Sequence, residues 1–220
     1  MKPKLLWGIA PLLALALPLL AQNNNPATGY KAGKALLKQP FKMENLTNQL
    51  CVYMMYREEA KKKNDPHFFK YAQVYINLTG QAATQRYQQA LKHLEQKCRQ
   101  YSKKHPAAYS TGELQRFADK QWSQPAPFPV GTVLTKEKFD NPKGTGMPEL
   151  LTVMVKREKG YNPACYDWEF LVLDGKAERV LERGKLARCQ GCHVEKEYKR
   201  TEGVVTLSHW GMPLALSGSR

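Results

Sequence analysis

The spacing of apolar positions changes part-way along the chain. In the first half Ala83, Tyr87, Ala90, Leu91, Leu94 and Cys98 recur at intervals of three and four residues, which paints one face of a helix over about Thr84 to Tyr101. Asp65-Pro66 reads as a cap followed by a proline in the first turn. Behind it Phe69, Ala72 and Ile76, and Phe68, Tyr71, Tyr75 and Leu78, form the apolar lines of another helix. Leu46, Leu50, Tyr53 and Met54 suggest an earlier helix, and Ser110 with Glu113 makes a capping box ahead of Leu114 and Phe117. In the second half, Val133 to Phe139 and Leu150 to Val155 gather β-branched and aliphatic residues in short spans bounded by Gly and Pro. Trp168, Phe170 and Val172 then alternate with Glu169 and Leu171 before an Asp174-Gly175 turn. Asn162-Pro163 marks a further turn, and after Gly184 a short helix is expected. The pattern predicts an α+β protein, with an N-terminal helical region followed by a mostly antiparallel β-sheet domain and a change of composition near Trp122.

The first residues follow a different rule. Lys2 and Lys4 precede an apolar run from Leu5 to Ala21, interrupted by prolines, and the polar stretch Gln22 to Asn25 follows at once. A basic start, an apolar middle and a polar exit are the marks of a secretory leader. Cleavage after Ala21 leaves Leu19 where a small residue is usual, so an uncleaved membrane anchor stays open beside it, although the run is short and proline-broken for a stable span. The chain is therefore divided into a leader over 1–21, a helical region over 22–121 and a sheet domain over 122–220, and a periplasmic or secreted location is expected.

Cys189-Gln190-Gly191-Cys192-His193 constrains function more than any other stretch. Two thiols three positions apart can add to the two vinyl groups of one haem edge, while the adjacent imidazole ligates the iron. Cys189 and Cys192 are expected to attach one haem c covalently, with His193 as its proximal ligand. A zinc site would need two more Cys or His at matching spacing, and His209 is the single later candidate. A redox dithiol of the thioredoxin kind would open a helix inside a βαβ unit, which this strand pattern lacks. Met212 and His209 are candidates for a sixth iron ligand, which would make the protein an electron carrier. His67, His93 and His105 have no partner at ligand spacing and are expected on the surface or at caps.

Two further features bear on partners and stability. In an oxidising compartment Cys51 and Cys98 could staple two predicted helices, closing a loop long enough for a chain-entropy gain of roughly 4 kcal/mol. Cys165 is then odd, and a buried thiol is expected there. The formal net charge is +15, a field suited to steering an acidic redox partner or an anionic membrane face. No aromatic interleaving or base-reading motif accompanies it, so nucleic acid is not an expected partner. Much of the charge, in Lys61 to Lys63 and in Lys97, Arg99, Lys103 and Lys104, is read as solvated helix surface.

Phe128-Pro129-x-Gly131-Thr132-Val133-x-x-Lys136-Glu137, Leu151 to Arg157 with Gly160-Tyr161-Asn162-Pro163, Asp167-Trp168-Glu169-Phe170 and the late C-x-x-C-H together resemble the cytochrome P-460 family over about Phe128 to Leu207. The resemblance implies a mostly antiparallel β fold, often dimeric, holding haem c on the motif histidine, here His193. In founding members a lysine is cross-linked to a porphyrin carbon, and Lys136 is the matching residue. Those proteins oxidise hydroxylamine, whereas relatives without the cross-link, the β-type cytochromes c′, bind nitric oxide. Either chemistry needs an open iron position, and hydroxylamine oxidation also needs a proton acceptor. Glu137 and Glu169 are candidates for that acceptor, with solvated strand-surface carboxylates as the alternative reading; a solvated charge is likewise the alternative for Lys136.

Overall fold

The computed structural model describes residues 25–43, 70–109, 112–194 and 196–204. The leader, the helix expected around Leu46 to Met54, Cys51, His67, Ser110, His209 and Met212 lie outside them. The described residues form a mixed α+β fold built on one antiparallel sheet. Its strands are β1 (Lys34–Ala35), β2 (Phe41–Lys42), β3 (Tyr71–Ile76), β4 (Val133–Phe139), β5 (Leu150–Lys156), β6 (Trp168–Asp174) and β7 (Val180–Gly184). The order is β1-β3-β4-β5-β6-β7, with β2 sharing the outer edge of β3. The helices are α1 (Leu78–Lys104), α2 (Glu113–Gln121) and α3 (Ala187–His193).

The helix expected behind Asp65-Pro66 is corrected by β3, which pairs with β4 over six positions from Tyr71↔Phe139 to Ile76↔Leu134. The apolar pairs Tyr71/Tyr75 and Ala72/Ile76 are four apart, and four is a multiple of the strand period as well as close to one helical turn. Burial resolves the ambiguity: Ala72, Val74 and Ile76 are buried while Tyr71, Gln73 and Tyr75 are half-exposed. The sheet thus takes strands from both sides of Trp122.

Helix α1 starts where Asn77 supplies a cap. The Asn77 Oδ1 accepts from the Gly80 N–H at 3.2 Å and from the Val133 N–H at 3.0 Å, and its Nδ2 donates to the Gly131 carbonyl at 2.9 Å. One side chain therefore satisfies an orphan helix donor and ties the helix start to β4. Gly80 is needed for close approach, because a Cβ there would lie 2.5 Å from side-chain atoms of both Ile76 and Thr132. At 27 residues α1 is about 40 Å long, well beyond a seven-residue strand of about 23 Å. Its first half, through Ala83, Tyr87 and Leu91, packs on the sheet with Val74, Ile76, Phe128, Leu134, Trp168 and Phe170. Its second half overhangs, and Leu94 and Cys98 pack with Ala108, Leu114 and Ala118 of the α2 region. Helix α2 begins at Glu113, with Gly112 as its cap in the left-handed region. His93 and His105 are exposed, and His105 closes α1 while stacking on Tyr101.

The sheet has two covered faces. The α1 side is the helix face. On the other, Leu151, Val153, Val155, Leu171 and Leu173 pack under a strap formed by residues 25–33, with Ala27 fully buried among them. The strap runs from the β6–β7 turn, where Asn25 Nδ2 donates to the Ala177 carbonyl at 2.6 Å, to β4, where the Tyr30 hydroxyl donates to Glu137. Strand β6, interior between β5 and β7, is buried on both sides, which is why its apolar residues run nearly unbroken. Replacing Leu151, which is completely buried under the strap, by Ala is expected to cost about 2–5 kcal/mol in urea unfolding, through lost transfer energy and the cavity left behind.

Candidate haem attachment site

Helix α3 carries the C-x-x-C-H motif. Positions 189 and 192 are three apart and lie on one side of the helix. Leu186 and Cys189 pack against the helix-face core, whereas Cys192 is exposed. A Cβ built on Gly191, between the two cysteines, meets no atom within 4 Å, so the flank of the helix facing outward is open. Burial raises the Cys189 thiol, with the charges of Arg188 and Lys136 opposing that shift.

His193 is held by two contacts. Its ring lies 5.2 Å from that of Phe170, centroid to centroid, and its Nδ1 is 2.6 Å from the Gly203 carbonyl oxygen. A carbonyl only accepts, so Nδ1 carries the proton and Nε2 keeps its lone pair, the tautomer that a metal ligand requires. Burial is the main reason the imidazole is held neutral, its pKa pushed down to about 4. The charge of Lys136 acts in the same direction, and the Gly203 bond opposes both.

Lys136 lies on β4 between Leu134 and Lys138, facing the helix side, with Val74 and Thr152 opposite it on the neighbouring strands. Although 53 positions before Cys189 in sequence, it is close enough for its charge to act on Cys189, Cys192 and His193. Burial pulls its amine down to about 8, helped by Lys138 and opposed by the two cysteines. Its side chain is half-buried on the helix face.

The two carboxylates behave differently from either expectation. Glu137 and Glu169 are buried, and strand alternation puts both on the strap face, opposite Lys136 and Phe170. Glu137 accepts from Tyr30 and lies 3.2 Å from the Lys31 ammonium; burial, and then this carboxylate, push the Tyr30 phenol far upward. Glu169 is ion-paired with Arg157 and, at 2.8 Å, with Arg183. They are neither solvated nor beside the motif. The sequence concealed this because nothing in the polar stretch after Ala21 marks it as the cover of a sheet.

Sequence reasoning also missed the segment that holds His193 in place. After α3, a 3-10 turn over Lys196–Thr201 leads to Glu202 and Gly203, both with positive φ, at 50° and 74°. The Glu202 carboxylate is buried: Lys156 Nζ reaches its Oε2 at 2.7 Å, and the Tyr87 hydroxyl donates to its Oε1 at 2.6 Å. Trp168 Nε1 donates to the Glu202 carbonyl at 2.8 Å, and Gln124 Nε2 donates to the Tyr87 oxygen at 2.9 Å. The Arg200 guanidinium pairs with Asp119 on α2. Resemblance covered this stretch but identified no residue in it. Cys165 is buried in the same core, its thiol pushed up to about 11 chiefly by burial. Cys98 is buried between α1 and α2, while its expected partner Cys51 is outside the described residues.

Among the described residues no three His, Cys, Asp or Glu side chains converge on one point, as a structural zinc site would require. A single tautomer-fixed imidazole next to two cysteines on one side of a short helix, Cys189 packed on the core and Cys192 exposed, is a donor set that would suit a covalently attached haem held through His193. Compared with known proteins, the chain matches no family model, no curated protein and no solved structure.

Two outcomes are expected. Glu169 has its carboxyl held below the ordinary value of 4.5: burial alone would raise it, but the hydrogen bonds from Arg183 and Arg157 outweigh burial. The unfolded chain then takes up this proton at higher pH than the folded one, so the stabilisation is complete above that ordinary value and is lost as pH falls through the lower folded one. Glu169→Gln should be less stable than the parent at neutral pH and show a shallower acid limb in urea midpoints measured against pH. Gly203→Ala puts a side chain into a left-handed position, costing about 1–2 kcal/mol. Its Cβ would also lie 2.6 Å from the His193 carbonyl, so the measured loss of unfolding free energy should exceed the conformational cost alone.

Proposed function

We propose that this chain is an exported, periplasmic mono-haem c-type cytochrome of the cytochrome P-460 kind, which oxidises hydroxylamine or handles nitric oxide at a five-coordinate haem. The observation that carries the reading is the C-x-x-C-H helix seated against the helix-face core through Cys189, with the His193 Nδ1 committed to the Gly203 carbonyl and Lys136 on the same face of the sheet. Cys189 and Cys192 would hold the haem through thioether bonds, and His193 through Nε2. The bound haem supplies a redox centre and an open coordination position.

The chain's own residues do the rest. The Gly203 carbonyl fixes the imidazole tautomer and, by accepting the Nδ1 proton, makes the ring a more basic ligand. Phe170 shields one side of that ring from water. Lys136 brings its amine to the same face; a bond from it to a porphyrin carbon would replace that carbon's hydrogen and would need a two-electron oxidant such as a peroxide. Glu137 and Glu169 are committed to ion pairs behind the sheet and take no proton from a substrate on the motif side. The net charge of +15 suits long-range attraction of an acidic redox partner.

The test is expression of the full chain with a haem-attachment system. One haem c per chain is expected in the pyridine haemochrome spectrum. A ferrous Soret band displaced far to the red, returned to the ordinary c-type position by Lys136→Ala, would establish the cross-link and predicts hydroxylamine turnover with an artificial oxidant. An ordinary Soret in the parent with rapid nitric oxide binding would assign gas binding, and slow or weak ligand binding an electron carrier. A chain that attaches no haem would refute the proposal.

A further inference from the structure

We propose that Glu202 is a positioning residue for His193, acting through Gly203: its buried carboxylate locks the loop after the motif so that the Gly203 carbonyl meets Nδ1. The purpose assigned to this lock, orienting an iron ligand, rests on the haem reading above; the lock itself does not.

Three observations support it. First, the loop is held in a costly shape. Glu202 is a non-glycine residue at φ 50°, in a region that L side chains avoid unless surrounding contacts enforce it. Second, those contacts come from three separate elements of the core: Tyr87 of α1 at 2.6 Å, Lys156 of β5 at 2.7 Å, and the Trp168 indole of β6 at 2.8 Å to the Glu202 backbone carbonyl. Third, Lys156 holds a second loop of the same kind. Its Nζ donates to the carbonyl of Tyr166 at 2.7 Å, and Tyr166 also has positive φ, at 53°. One ammonium therefore clamps both loops, and they meet the motif at Gly203, where a Cβ would lie 2.6 Å from the His193 carbonyl and 3.4 Å from the Tyr166 ring.

The alternative, that the pair merely stabilises the core, is weak on general grounds. A buried ion pair gains little over well-packed apolar residues, because desolvation cancels most of the Coulomb attraction. What it supplies better than an apolar contact is direction. Glu202 has defined partners on both oxygens, and rotation of the loop would break both bonds together. The residue adjoining this fixed point carries the carbonyl that selects the His193 tautomer.

The experiment uses the full chain with and without haem, as the parent, Glu202→Gln and Tyr87→Phe. In the haem-free 15N-labelled chain, the parent His193 should show one tautomer with a slowly exchanging Nδ1 proton. That signature should be lost in Glu202→Gln and weakened in Tyr87→Phe. With haem attached, the ferrous iron–histidine stretch in resonance Raman should shift down in both variants, and the reduction potential should rise, as expected for a less basic axial ligand. Tyr87→Phe deletes one hydroxyl and decides the question if Glu202→Gln does not fold. Folded variants whose tautomer, proton exchange and stretch all match the parent would overturn the inference while leaving the haem reading intact. A chain that takes no haem, yet loses the Nδ1 proton in the variants, would support the lock and sink the haem reading.

Discussion

The Lys156–Glu202 ion pair is the contact on which the geometry of the motif end depends. It joins β5 to the loop behind α3, and its partners spread the constraint to α1 through Tyr87 and to β6 through Trp168. The Lys156 ammonium also lies 5.3 Å from the centre of the Trp168 ring, and in the core Phe128 stacks on Tyr87 and meets Trp168 at a tilt. A charge so placed is compensated by the Glu202 carboxylate, the Tyr166 carbonyl and the face of the Trp168 ring. The result is a rigid platform beneath a short helix that, at seven residues, would have little stability of its own.

The sheet divides the chemistry of the chain into two faces. Lys136, Lys156 and the aromatic residues lie on the helix face with the motif. The buried acids Glu137 and Glu169 lie on the strap face, neutralised by Lys31, Arg157 and Arg183. Because pleat alternation puts adjacent residues on opposite sides, Lys136 and Glu137 are neighbours in sequence and separated by the sheet in space. A motif-side site therefore has basic and aromatic surroundings, with Glu137 and Glu169 facing away and Glu182 of β7 paired with Arg188 of the motif helix.

Legibility in the sequence followed the range of the interactions involved. Strands β4, β5 and β6 were read nearly to the residue, because each is apolar on at least one face and bounded by Gly, Pro or Asn. The face of α1 was read through Ala83, Tyr87, Leu91, Leu94 and Cys98. β3 was misread as helix since its apolar residues lie four apart, a spacing both periods accept. β7, with its half-exposed alternation, showed too little apolar character to be seen. The strap was invisible for a different reason: Ala27 and Tyr30 acquire meaning only from Leu151, Leu173 and Glu137, more than a hundred residues away.

The sequence by itself determined the local decisions: an α+β chain, the central strands, the long helix, and a C-x-x-C-H segment whose thiols share one helix flank. Those follow from side-chain period, turn chemistry and fixed covalent spacing, none of which needs a distant partner. Tertiary structure decided that Lys136 meets the motif, that Glu137 and Glu169 do not, and that Gly203 chooses the His193 tautomer. These depend on strand register, on which face is covered, and on a buried ion pair linking positions 156 and 202, and such pairings are set only when the whole sheet closes against its helix and its strap.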